Sequence, residues 1–126
     1  MSPHSWFVEP DRASISADQV GAFFAKAIPA GRCEFWFERD DGLVLGFLTN
    51  TSRALVMLLA DADDPGEHAV SPTASPAVSS GFRLQNGQED SYPDADTLPI
   101  DSAIDAAEHV IRCGEWPTET VVLSDR

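Results

Sequence analysis

The chain has 126 residues, enough for one domain of ordinary size and too few for two. Its 43% hydrophobic and 23% charged residues are those of a folded globular protein, but 21 Asp and Glu against 8 Lys and Arg leave a formal net charge of −13. A surface that negative repels nucleic acid and anionic membrane and attracts basic proteins, which excludes the first two as partners and favours the third.

The longest apolar run, residues 54–60, is far short of a membrane span. Residues 1–6 have neither the basic segment nor the long apolar stretch of a secretory signal, so a cytoplasmic location is expected. Cys33 and Cys113 are too few for a disulfide framework, and in that compartment each is expected as a buried free thiol.

Residues 1–14 carry no strong periodic signal and are expected to be loosely ordered. Ser16 then opens a helix. Gln19 completes an S-x-x-Q capping box, Ile15 and Val20 stand at staple positions, and Val20, Phe23, Phe24, Ala27 and Ile28 recur at helical spacing until Pro29. This predicts a helix over 17–28. Residues 33–38 alternate, with Cys33, Phe35 and Phe37 on one face and Glu34, Trp36 and Glu38 on the other, the period of a half-buried strand. Strands over 43–49 and 54–60 follow, separated by turns at Asp40-Asp41-Gly42 and at 50–53. The third strand is nearly all apolar and is expected to be central.

Residues 61–80 hold Pro65, Pro72 and Pro76 among Ser, Ala and acids, and predict a long acidic loop. Asn86-Gly87 between 82–85 and 88–92 predicts a hairpin, because both turn residues tolerate positive φ. A second helix is expected over 102–113. Ile100, Ile104, Ala107 and Ile111 line one face, Asp101 stands early and Arg112 late to suit the helix dipole, and Gly114 and Pro117 end it. Residues 120–123 predict a last strand. The fold class is α+β, an antiparallel sheet of about five to six strands with two helices in the order αβββββαβ, in one domain over 1–126.

Signals for catalysis are weak. His4 lies in the loose end, His68 in the loop and His109 on the second helix, none beside a G-x-S-x-G serine. No C-x-x-C or H-E-x-x-H offers a zinc site, and no glycine-rich motif cradles phosphate. A calcium loop starting at Asp61 fails, since Pro65 and Pro72 take its fifth and twelfth positions. No catalytic residue, cofactor or metal is therefore assigned. Between Asp61 and Asp96 stand Asp61, Asp63, Asp64, Glu67, Glu89, Asp90, Asp94 and Asp96 against Arg83 alone. With Tyr92 and Trp116 as aromatic anchors, these acids form the candidate surface for a basic partner.

The run Gly81-Phe82-Arg83-Leu84-Gln85-Asn86-Gly87-Gln88-Glu89-Asp90-Ser91-Tyr92-Pro93, then Leu98-Pro99-Ile100, Ala103, Ala107, Val110-Ile111, Gly114, Pro117 and a short closing strand, resembles the immunity protein 1 family of bacterial polymorphic toxin systems. The resemblance covers residues 81–123 and, loosely, the Asp41-Gly42 turn. Val121, Val122 and Leu123 stand where that family usually has a tryptophan. The resemblance implies a protein that binds and neutralises a cognate toxin, often a nucleic-acid deaminase or nuclease; with the acidity of the chain, the expectation is a non-enzymatic binder of a basic toxin, a monomer or weak dimer. The alternatives are a non-catalytic adaptor or secretion-chaperone-like domain, and an enzyme acting on a small cationic substrate, which calls for a deep pocket lined by acids.

Overall fold

The computed structural model describes residues 4–71 and 75–126. Residues 1–3 and 72–74, and with them Pro72 of the calcium-loop comparison, lie outside the described residues. In chain order the elements are β1 (Trp6–Val8), β2 (Ala13–Ile15), α1 (Ala17–Ala27), β3 (Glu34–Arg39), β4 (Val44–Thr49), β5 (Arg53–Leu59), β6 (Glu67–Val70), β7 (Val78–Arg83), β8 (Glu89–Pro93), a 3-10 turn (Asp94–Asp96), β9 (Leu98–Pro99), α2 (Ile100–Cys113) and β10 (Val121–Ser124).

Both helices form where their end signals stand. At α1 the Gln19 side chain accepts the Ser16 N–H at 2.9 Å, satisfying one donor of the first turn. At α2, Gly114 takes the left-handed conformation (φ 81°) and returns its N–H to the Val110 carbonyl. The α2 stripe is more alanine-rich than expected. Ala103, Ala106, Ala107, Val110 and Ile111 are buried, while Ile100 and Ile104 flank them half-buried. Small side chains let this helix lie close to the sheet.

The large sheet has eight strands, ordered β10-β6-β5-β4-β3-β1-β2, with β9 pairing the start of β5 beside β6. All its pairings are antiparallel. The expected meander β3–β4–β5 is its centre. The expected hairpin β7–β8 forms a separate two-stranded sheet closed at Asn86-Gly87, where Leu84 N–H meets the Gln88 carbonyl at 2.8 Å.

Four strands went unpredicted, which raises the strand count above five to six. Residues 6–8 and 13–15 pair as β1 and β2, and Trp6, Val8 and Ile15 are buried, so the stretch expected to be loose closes one edge of the sheet. Within the expected loop 61–80, residues 67–70 form β6, and β7 begins at Val78. β9 precedes α2. Each of β1, β2, β6 and β9 has two to four residues, too few to show a period.

The core lies on one face of the large sheet. Phe35 and Phe37 of β3, Leu45 and Phe47 of β4, and Val56 and Leu58 of β5 point to it, and both helices pack there. Phe24 of α1 sits in the middle, its ring centroid 4.4 Å from Phe47, 5.0 Å from Phe35 and 5.8 Å from Phe37. The contacts with Phe35 and Phe37 are edge-to-face and that with Phe47 is tilted at 31°, and such ring pairs add to the burial of each ring. Phe24→Ala is expected to cost about 3–5 kcal/mol, the range for truncating a buried phenylalanine. Urea unfolding followed by far-UV circular dichroism measures it, and a loss below about 1 kcal/mol would remove Phe24 from the centre of the core.

Candidate partner-binding surface

The predicted acids fall at two ends of the sheet. β5 separates them, and at a rise of ~3.3 Å per residue its seven residues span roughly 20 Å. At one end, Asp61, Asp63 and Asp64 lie in the turn between β5 and β6. Asp61 Oδ1 accepts the Asp63 N–H at 2.9 Å, and Asp64 Oδ2 accepts the Ala60 N–H at 2.8 Å. Asp64 also holds the Arg126 guanidinium at 2.9 Å. That contact, followed by the Ala60 N–H, brings its carboxyl down to about 2. Glu67 accepts the Trp116 indole N–H at 2.8 Å and meets Arg126 at 3.2 Å, while the Trp116 ring packs against the core. Asp64, Glu67 and Trp116 thus fasten the C-terminal strand, and a partner reaching them competes with Arg126.

At the other end stands the hairpin. Asp90 accepts the Tyr92 hydroxyl at 2.7 Å and the Gln88 amide at 2.8 Å, and these bonds lower its pKa. Burial, reinforced by Asp90, pushes the Tyr92 hydroxyl pKa up. The Tyr92 ring stands edge-on to the fully buried Phe82 at 4.9 Å. Asp94 accepts the Ser79 hydroxyl and lies 3.9 Å from Arg53, whose guanidinium also reaches the Thr97 hydroxyl and the carbonyls of Asp94 and Thr97. The hairpin is further tied to the sheet by Glu34, which accepts the Gln85 N–H, and by Asn50, which donates to the Ser80 carbonyl. Of the ten predicted residues, Asp61, Asp63 and Glu89 are exposed and take part in no ion pair among the described residues.

Asp96 joins an arrangement that no local pattern signals. His68 is buried on β6, its Nδ1 2.8 Å from Asp125 and its Nε2 3.0 Å from Asp96. Burial alone depresses an imidazolium, but the two carboxylates outweigh it and the net pKa is raised above 6.5. The charged ring donates to both carboxylates, whereas a neutral ring has one N–H for two acceptors.

The other titratable candidates are held locally. His4 Nδ1 lies 2.8 Å from Asp40, so the N-terminal segment is fastened where fraying was expected. His109 Nδ1 faces the Glu115 carbonyl at 3.0 Å. Cys33 and Cys113 are free thiols, the first half-buried and the second exposed, where burial of both was expected. A groove of about 560 Å³ lies between α2 and the β6–β10 edge, walled by Val70, Leu98, Pro99 and Val121 with Asp105 and His109 on its rim.

Sequence reasoning missed the outer face of the large sheet, the side away from the helices. Trp36, Gly46, Met57, His68 and Leu123 run across it as one row of paired residues, and Phe7, Glu38, Val44 and Leu59 form the next. Trp36, Met57, Val44, Leu59 and Phe7 are half-buried and Leu123 is exposed. The signal for it stands in β5, where Leu55, Met57 and Leu59 make the outer side as apolar as the inner one. No family model matches the chain, and no curated protein matches it.

The histidine contacts carry a pH dependence. A folded pKa raised above the unfolded value of about 6.5 gives stability that is complete below pH 6.5 and lost as pH rises through the folded pKa. Thermal melts from pH 6 to 9 are expected to show wild type losing its advantage over His68→Gln as pH rises. A gap independent of pH would show that folding leaves the imidazole pKa where it is in the unfolded chain, so that the two carboxylates do not favour its charged form.

Proposed function

We propose that this protein is an immunity-type inhibitor that binds and neutralises a basic toxin domain acting on nucleic acid. The observation that carries this reading is the placement of unpaired acidity. In a chain of net charge −13, exposed Asp61 and Asp63 at one end of the sheet and exposed Glu89 at the other are left without cations among the described residues. A deaminase or nuclease must hold phosphates, so the mouth of its site is positive, and an acidic protein can occupy it by presenting the same charge. The resemblance of residues 81–123 to the immunity protein 1 family supports the same reading. The protein acts in it as a binder, with no catalytic step of its own.

Affinity capture from a lysate of the source cells, washed first at low and then at high salt and read by mass spectrometry, tests this. One basic toxin domain released by salt is the expected result; recovery of a neutral or acidic protein, or of nothing, would overturn it. With the purified partner, Asp63→Lys combined with Glu89→Lys is expected to slow association and flatten its salt dependence while leaving the melting temperature within a few degrees, since both carboxylates are exposed and neither holds an ion pair. An association rate equal to wild type at low salt would remove these two acids from the binding surface.

A further inference from the structure

We infer that the toxin-facing surface is the outer face of the large sheet, with Trp36 and Met57 as its central anchors. The inference rests on the preceding reading, to which it adds the surface and the chemistry of the contact. Both helices pack on the opposite face, and the β7–β8 hairpin ties onto this one at Glu34 and Asn50. Beyond the hairpin stay Trp36, Met57, Val44, Leu59 and Phe7, half-buried, with Leu123 exposed at the β10 edge. Large apolar side chains gathered on one sheet face and rimmed by acids are the anatomy of an interface core.

The centre of this face is shaped in advance. Trp36 and Met57 lean toward each other over Gly46. A Cβ on that glycine would lie 2.6 Å from Trp36 Cζ3 and 2.9 Å from Met57 Cε. The Trp36 indole N–H is held at 2.8 Å by Glu34, so its ring is fixed before a partner arrives and little side-chain freedom is lost on binding. Met57 beside it is flexible and adapts to what docks.

The chain itself shows which chemistry the face accepts. The Arg12 guanidinium stacks 4.6 Å over the Phe7 ring and is held by Glu38 at 3.2 Å and Glu9 at 3.5 Å. An aromatic face with carboxylates beside it is a seat for a guanidinium, and Trp36 with Glu34 repeats that pair next to it. Charge complementarity therefore commits the face to a basic protein. A second copy would bring two molecules of net charge −13 together.

The probe is the basic protein recovered in the salt-released capture, purified and titrated calorimetrically into the full chain. Trp36→Ala and Met57→Ala are expected to weaken it by at least about tenfold each, as truncation of central anchors does. Ser102→Ala, an exposed change on α2 in the groove on the helix side of the sheet, is expected to leave it unchanged. Thermal melts identify variants that bind weakly because they fold poorly; if Trp36→Ala is one, Leu59→Ala on the adjacent row replaces it. Wild-type affinity in the folded outer-face variants would overturn this surface while the inhibitor reading stood. Failure to recover any basic protein would overturn both. A dimer in light scattering that Met57→Glu dissociates would give the face to a second copy and overturn the proposal as well.

Discussion

The seat of Phe24 among Phe35, Phe37 and Phe47 is the constraint on which the rest of the architecture depends. It places α1 on one side of the meander, and α2 packs beside it, where Arg112 reaches Asp18 across the pair at 2.7 Å. With both helices on one face, a sheet of eight strands is left with another face to manage. The chain lays a hairpin over part of it, anchored by polar contacts from Glu34 and Asn50, and leaves a band of half-buried apolar side chains beside it. A single-layer core on one side and a partly open sheet on the other follow from one packing choice.

The elements that could be read from the sequence are those whose signals are local. The alternation from Cys33 to Glu38, the capping residues Ser16 and Gln19, the Asn86-Gly87 turn and the Gly114 stop each sit within a few residues of what they specify. The strands that escaped, at 6–8, 13–15, 67–70 and 98–99, are short; partners far along the chain stabilise three of them, Trp6 pairing with Arg39, His68 with Leu123 and Leu98 with Ala54, and the fourth, at 13–15, pairs with the first. Short segments of this kind acquire strand character from the neighbour they meet, not from their own propensity.

The candidate site divides in the same way. Residue type and exposure marked out acidic stretches, and Asp61, Asp63 and Glu89 do stand exposed. Pairing could not be read, because Asp64 and Arg126 are 62 residues apart and Glu67 and Trp116 are 49 apart. A strongly acidic chain thus carries two populations of carboxylate. One is neutralised from within and serves the fold, as Asp64 and Glu67 do for the terminal strand. The other is unneutralised and sets the long-range field that an approaching partner meets.

The His68 contacts also bear on the order in which the molecule assembles. The meander β3–β4–β5 closes through short turns, so its pairings cost little chain entropy and can form early. The imidazole, by contrast, waits for Asp96 to arrive with the segment that follows the hairpin and for Asp125 to arrive with the terminal strand, across separations of 28 and 57 residues. It can be completed only when both are in place. The last strand is therefore expected to gain amide protection after the central ones in pulse-labelled hydrogen exchange during refolding, with the imidazole acting as a lock set at closure.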